Sequence, residues 1–370
     1  MSAPATPRRQ LLPFTLVAER RLEVPRGLSV LTTLGAVAVA LIISAVLIWL
    51  RGGDPINAYA HIVRSSLGSV GVLSDTLVKA TPLIFTGLAC AVAFRMRLWN
   101  IGAEGQLLMG AWGASAVVLV AWLPEGTSGL IYLPLMMLAG IAMGGLWAGI
   151  AGWLRARFNV NEIITTLMMV YIATKWVQFW VFGPWSEGGF QMSPRFPREA
   201  WLPRLTDYSD IVGDFAGLTV HLGFVLAVIA AGLVWYFINR TRKGYEIRLI
   251  GDNPRAARYA GIDIGRTIIL VMLISGALAG LAGAAEVSGV VHRLQDNFSP
   301  GYGFTGIIVA FLARFNPLGV IVAAIAFGAL ILAGREIQPA GIPSMIQGIV
   351  LFCVIASDVF LRYRVRLVRR

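Results

Sequence analysis

Leu28-Ser-Val-Leu-Thr-Thr-Leu-Gly-Ala-Val-Ala-Val-Ala-Leu-Ile-Ile-Ser-Ala-Val-Leu-Ile-Trp-Leu50 runs without a single charged residue. A helix that crosses a hydrocarbon layer about 30 Å thick needs roughly 20 such residues, so this stretch reads as a membrane span. Comparable runs recur at 77–94, 107–123, 130–154, 162–183, 216–238, 266–290 and 343–361. Residues 303–334 hold a pair, Gly303–Ala313 and Leu318–Gly334, separated by Arg314-Phe-Asn-Pro317. Pro317 has no N–H to continue a helix from the preceding turn, which predicts a break there. The expectation is an all-α polytopic membrane protein of about ten transmembrane helices, one of them short or broken (303–334).

Composition agrees along the whole chain. Of 370 residues 57% are hydrophobic and 14% charged, and the mean hydropathy is +0.74. A soluble domain carries about a quarter charged residues, and this chain lacks that polar surface. The net charge of +12 sits between the apolar runs and at the ends, as in cytoplasmic loops, and not on a basic domain interleaved with aromatics. Nucleic acid is therefore excluded as a partner. Cys90 and Cys353 lie inside apolar runs, and His61, His221 and His292 share no ligand spacing. Neither a disulfide framework nor a metal site is expected.

With the N-terminus inside, most of the 31 Lys and Arg residues fall on the cytoplasmic side, among them Arg95, Arg97, Arg155, Arg157, Arg240, Arg242 and Arg314. This asymmetry predicts both termini in the cytoplasm. Residues 1–27 then form a cytoplasmic tail, partly helical, since no apolar core followed by a cleavage site is present. Residues 28–361 form the membrane domain and 362–370 a basic cytoplasmic C-terminus. The loop 184–215, rich in Pro, Trp and Gly, lies outside. It reads either as a docking surface for an external partner or as an interfacial loop without one.

The cytoplasmic loop 239–265 contains Asn253-Pro-Arg-Ala-Ala-Arg-Tyr-Ala-Gly261. Asn253 suits a helix cap, Pro254 the first helical position, and Gly261 the left-handed residue past the end. A helix of about seven residues, Pro254 to Ala260, is expected on the cytoplasmic face. Ala256 and Ala257 allow close approach to a partner, and Arg255 and Arg258 offer it charge.

A second constellation, Asn100-Ile-Gly-Ala-Glu-Gly-Gln106, precedes the third span. Glycine-rich backbone near the membrane is tolerated only inside protein or beside a water-filled path, and an ionisable residue there is a functional candidate. Glu104 has two readings, lining a translocation path or accepting backbone amides at a helix start. Asn100 and Gln106 likewise either bind substrate or cap the helix. Glu286 and Asn316 are further path candidates, whereas Lys79 and Asp358 read as interfacial. Gly276, Gly280 and Gly283 share a face of the seventh span and point to close helix packing. A short echo links Ala93-Phe-Arg-Met-Arg-Leu-Trp-Asn100 to Ala310-Phe-Leu-Ala-Arg-Phe-Asn316, and repeats of this kind frame the path in many transporters.

The Asn100–Gln106 stretch, with Phe94-Arg-Met-Arg-Leu-Trp99 before it and Leu107-Leu-Met-Gly-Ala111 after, resembles the signature of one permease family. It is that of ABC importers for nucleosides and simple sugars, related to branched-chain amino acid and ribose permeases. Ile250 to Ile262, Gly301-Tyr-Gly-Phe-Thr-Gly-Ile307 and Phe315-Asn-Pro-Leu-Gly319 fit it too, so the resemblance runs from about 77 to 361. It implies a pore shared with a second related permease, a cytoplasmic ATPase and an external substrate-binding lipoprotein, in a bacterial cell membrane. By the same resemblance Gly251, Asn253, Pro254, Arg255, Ala256, Ala257, Arg258 and Gly261 belong to a coupling element that inserts into the ATPase. No Gly-x-x-x-x-Gly-Lys-Ser/Thr pattern occurs, so ATP and magnesium belong to that other chain and this one carries no cofactor. The wording Asn-Ile-Gly-Ala-Glu-Gly-Gln is closest to the nucleoside branch, purine nucleosides first and sugars second.

Two other classes of protein share some of these features. An ion-coupled secondary transporter would use Glu104 and Glu286 as coupling sites, but it needs no coupling helix. An intramembrane enzyme needs a nucleophile–base pair or a metal cluster at membrane depth, and no span contains one.

Overall fold

An Asn or Asp followed by Pro opens three of the helices. In the computed structural model, which describes residues 14–20, 26–120, 123–124, 126–334 and 341–369, the chain begins with strand β1 (Phe14–Arg20). There follow α1 (Arg26–Leu50), α2 (Pro55–Leu67), α3 (Val70–Arg95), α4 (Ala103–Leu119), α5 (Gly129–Phe158) and α6 (Glu162–Phe182). A long irregular segment leads to α7 (Leu222–Arg240), α8 (Arg242–Asp252), α9 (Pro254–Tyr259) and α10 (Ile264–Glu286). The chain closes with α11 (Tyr302–Leu312), α12 (Pro317–Ala333), α13 (Ile342–Arg362) and β2 (Tyr363–Arg369). Asp54, Asn253 and Asn316 cap α2, α9 and α12 by accepting from the freed amides of Ile56, Arg255 and Leu318 at 2.9, 3.1 and 3.1 Å. In each case proline takes the first helical position, where a missing N–H costs nothing.

Among the described residues six helices are long and apolar enough to cross a membrane: α1, α3, α5, α7, α10 and α13, with α11 and α12 as shorter apolar helices. The α3 helix is the axis of the bundle, its apolar stretch 94% buried, and α10 packs beside it. Around the periphery α1, α5, α7 and α13 turn Leu34, Ile42, Leu138, Leu146, Leu233 and Phe352 outward. Asn100, Gln106, Ser275 and Glu286 are buried instead. Apolar outside and polar inside is the reverse of a soluble protein, and it matches lipid as the surrounding solvent.

Glycine sets how closely the central helices meet. A Cβ on Gly280 of α10 would collide with the carbonyl oxygen of Gly140 in α5, and one on Gly110 of α4 would collide with Gly280 itself. Backbones at this separation gain dispersion contacts that no larger residue would permit.

The echoed segments end their helices in the same way. The Leu98 N–H donates to Ala93 O at 3.1 Å and the Phe315 N–H to Ala310 O at 2.9 Å, with Arg97 and Arg314 both left-handed at φ 61° and 50°. That is the six-residue closure of a Schellman cap, repeated. The two reversals also pack together, Phe94 against Phe311 at 5.6 Å and Trp99 stacked on Phe311 at 5.9 Å.

Several boundaries differ from expectation. The span expected from 77 begins at Val70, and the one expected from 216 begins at Leu222 after an irregular stretch. The third begins at Ala103, which puts Glu104 and Gln106 inside its first turn. The amphipathic α2 was not expected at all, because its residues include Asn57, His61 and Arg64. The N-terminal tail, expected to be partly helical, contributes the strand β1, which pairs antiparallel with β2 from Phe14↔Arg369 to Arg20↔Tyr363. Residues 1–13, 21–25 and 370 of the expected tails lie outside the described residues. The ribbon pairs the segment before α1 with the one that follows α13.

Candidate functional site

A buried amide knot ties three helices where the chain passes from α3 to α4. Asn100 Nδ2 donates to Gln106 Oε1 at 2.9 Å and to Ser275 Oγ at 2.8 Å. Its Oδ1 accepts from Gln106 Nε2 at 2.9 Å and from the Gly102 N–H at 3.1 Å. Ser275 passes its own proton to Ala89 O at 2.7 Å. The hydrogen-bonding capacity of Asn100 is thus spent on α3, α4 and α10, and Asn100 and Gln106 are fully buried.

Glu104 faces elsewhere. Its Oε2 accepts from the Gly303 N–H at 2.6 Å, which docks the start of α11 on the start of α4. Ser299 also hydrogen-bonds to it. The carboxylate lines a cavity of about 290 Å³ bounded by α4, α6 and the segment 295–304, including Tyr171, Thr174, Gln295, Asp296, Ser299 and Phe304. Asp296 is held from below by Gln178 Nε2 at 3.2 Å and from its own loop by Asn297 Nδ2 at 3.1 Å. Lys175 in turn orients Gln178, donating to its Oε1 at 2.9 Å.

Glu286, at the end of α10, lies 3.8 Å from Lys79 Nζ and accepts from the Tyr302 hydroxyl at 3.4 Å. Lys79 was expected at the membrane boundary; it is buried, and it also donates to Tyr302 at 3.1 Å. Burial forces the pairing, since an ammonium group removed from water must find a carboxylate or hydroxyl. A second cavity of about 350 Å³ opens beside this pair, lined by Lys79, Asn297, Tyr302, Thr305, Ser344 and Gln347. The segment 297–305 therefore separates two cavities. Asn316 reaches neither; its side chain caps α12.

Past Glu286 the chain makes a π-helical turn, Val287–Val291, and then reverses at left-handed His292. The irregular segment between α6 and α7 is zipped onto this turn by Phe196 N–H to His292 O (2.8 Å), Leu202 N–H to Ser288 O (3.0 Å) and Arg204 Nη2 to Gly289 O (2.8 Å). His292 stacks on Trp201 at 3.7 Å, and its Nε2 accepts from Arg204 at 2.8 Å. Burial first, then the positive Arg204, pushes His292 down to about 4, and the same causes push His221 down to about 3.

At the opposite end of the bundle, α8 and α9 fold back between α7 and α10. Gly251 is buried against the carbonyl of Arg95 at the end of α3. Ala257 is buried too, so α9 is seated on the bundle by one face. Asn253, Pro254, Arg255 and Arg258 are exposed on the other, Ala256 is half-buried, and Tyr259 is 95% exposed. Gly261 follows with φ +73°, the left-handed geometry that glycine, having no Cβ, adopts most readily.

Of the sequence candidates, the structure brings Glu104 to one cavity, ties Glu286 to Lys79 and Tyr302 that line the other, and exposes Asn253, Pro254, Arg255 and Arg258 on one helical hook. Sequence reasoning missed Tyr171, Asp296, Phe304 and Lys79. Phe304 lies within the Gly301–Ile307 motif, but nothing in the apolar run around Tyr171 distinguishes it.

A bundle with a lipid-facing exterior, polar cavities within and an exposed helical hook at one end defines a multi-pass membrane protein of the permease class. The family described as branched-chain amino acid transport system, permease component, matches residues 72–355, and the chain belongs to it. It is 37% identical over 360 residues to the glucose ABC transporter permease protein TsgB13 of Haloferax volcanii, covering 95% of this chain and 93% of that protein. With the guanosine ABC transporter permease protein NupP of Bacillus subtilis it shares 36% over 344 residues, 90% of this chain and 94% of that one. A further guanosine permease of the same bacterium, NupQ, is 25% identical over 262 residues, 70% of this chain and 79% of its own.

Proposed function

We propose that this chain is a permease subunit of an ATP-driven importer and forms part of the translocation path for nucleosides, purine nucleosides first. The observation that carries this reading is the relation to NupP across nine-tenths of both chains. That Bacillus subtilis has two guanosine permeases related to this chain, NupP and NupQ, supports a pore built with a second, related subunit. ATP and magnesium are held by a separate cytoplasmic ATPase, and an external lipoprotein delivers the substrate at the bacterial cell membrane. Ten spans, α1, α3 to α7 and α10 to α13, place α8 and α9 on the same side as both termini. The arginines of 239–265 make that side the cytoplasm.

In this reading Gly251, Asn253, Pro254, Arg255, Ala256, Ala257, Arg258 and Gly261 build the hook that the ATPase grips. Tyr259, which the sequence did not single out, is its exposed aromatic anchor. ATP-driven closure of the ATPase moves α9, and the close seat of Gly251 on the end of α3 passes the motion to the bundle axis. Tyr259→Ala is expected to weaken attachment of the ATPase, measured by co-purification of the two chains.

The 37% identity to a glucose permease favours a second reading, a simple-sugar substrate. The test is uptake by proteoliposomes holding the assembled complex, with ATP inside and radiolabelled guanosine or glucose outside. ATP-dependent guanosine uptake that excess glucose leaves untouched supports the nucleoside reading, and the converse supports sugar. Uptake that persists without ATP and collapses with the ion gradient would overturn both.

A further inference from the structure

We infer that the cavity beside Glu104 is a binding station for an uncharged nucleoside within this subunit, an inference that rests on the importer reading above. Its walls carry two kinds of chemistry. Tyr171 and Phe304 line it and remain 63% and 42% exposed, so their ring faces are not consumed by packing within the chain. Flat heteroaromatic bases stack on such faces with little regard to sequence of substituents. The polar lining combines two carboxylates, Glu104 and Asp296, with hydroxyls and amides that can donate or accept, Thr174, Gln295, Asn297 and Ser299. Glu104 is fixed by the Gly303 N–H and by Ser299, and Asp296 by Gln178 and by the backbone and side-chain N–H groups of Asn297, so both carboxylates are held at set positions on the cavity wall. A ribose diol and the edge of a purine carry both donors and acceptors, which can pair with Thr174, Gln295 and Ser299 and turn their N–H and O–H groups toward the negative carboxylates.

The same wall excludes the charged relatives of a nucleoside. No Lys or Arg is among the described residues lining the cavity. A phosphate entering here would meet two carboxylates and no cation, and like charges repel. The cavity of about 290 Å³ lies at the small end of the ligand-pocket range of about 300–1,000 Å³, which suits a single nucleoside and not a dinucleotide. The contrast with the second cavity is chemical, because that one holds Lys79.

The experiment is equilibrium binding of radiolabelled guanosine to the assembled complex in nanodiscs, with guanosine 5′-monophosphate and glucose as competitors, alongside guanosine uptake. Expected are saturable guanosine binding, at least about tenfold weaker in Tyr171→Ala and in Asp296→Asn, and retained in Tyr171→Phe. The monophosphate is expected not to compete. Wild-type guanosine uptake with Tyr171→Ala and Asp296→Asn binding unchanged would overturn the station while leaving the importer reading intact. Competition by the monophosphate as strong as by guanosine would overturn it as well. A wild-type complex that carries glucose and not guanosine would remove the substrate reading, and the station with it.

Discussion

Asn100 shows how a single amide can hold a membrane protein together. Both of its N–H groups and its oxygen are used, and they join α3, α4 and α10 around one point. Replacing it with alanine leaves the Gln106 amide without its partner and Ser275 with Ala89 O alone, in a buried site. The expected cost is about 1–3 kcal/mol, read as a lower midpoint of thermal unfolding in detergent. Asn100→Ala should leave guanosine affinity close to wild type in whatever fraction folds, because the amide faces helices and not a cavity. Gly280 is a stricter case. Any side chain there meets the Gly140 carbonyl, so Gly280→Val is expected to prevent close packing of α5 on α10. The check is its yield and its elution profile on size exclusion, with a surface substitution such as Val322→Ala as the control.

At the scale of elements, the helices announced themselves and the site did so only in part. Long uncharged runs located α1, α5 and α13 within a few residues, because lipid demands continuous apolar surface whatever the tertiary packing. The cap signals around Asn253, Pro254 and Gly261 located α9 for an equally local reason, since capping is decided within one turn. The strand β1 was hidden, because its partner lies at the other end of the chain. Lys79 misled for a related reason: its place near the end of an apolar run pointed to water, and only the three-dimensional position of Glu286 shows why it is buried. The cavity beside Glu104 draws on α4, α6 and the segment before α11, and no local pattern reports such a convergence. Gly261 carries the prediction at this scale. A β-branched residue at φ +73° is strained by about 1–3 kcal/mol, which is relieved if the end of α9 shifts. Gly261→Val should therefore leave the assembled complex intact while lowering the guanosine carried per ATP hydrolysed. Gly261→Asn, which tolerates the left-handed region, should recover most of it. An unchanged ratio in the valine variant would remove α9 from the coupling path.

Across the whole molecule the irregular segment between α6 and α7 caps the end of α10, and the fastening depends on two neutral histidines. Arg204 donates to His292 Nε2, and the Gly223 N–H donates to His221 Nδ1. A protonated ring can accept neither bond, and next to Arg204 a second cation is repelled. Burial first, then the charge of Arg204, holds both well below the ordinary 6.5, at about 4 for His292 and about 3 for His221. The sign follows from proton counts. Between 6.5 and the folded values, the unfolded chain binds protons that the folded cap refuses, so stability falls as the pH drops. The contribution is fully present above about pH 6.5 and is lost progressively toward pH 4 and 3. Thermal unfolding of the full chain in nanodiscs, scanned from pH 8 to pH 4, should show a flat midpoint followed by a decline starting near 6.5. Carboxylates decline in the same direction at lower pH, so the discriminating comparison is His292→Gln. Its amide oxygen still accepts from Arg204 but cannot titrate, and its midpoint should decline less between pH 6.5 and pH 4 than that of the wild type. Equal declines in the two proteins would mean that the cap opens before the bundle unfolds, and that its histidines are uncoupled from the stability of the whole.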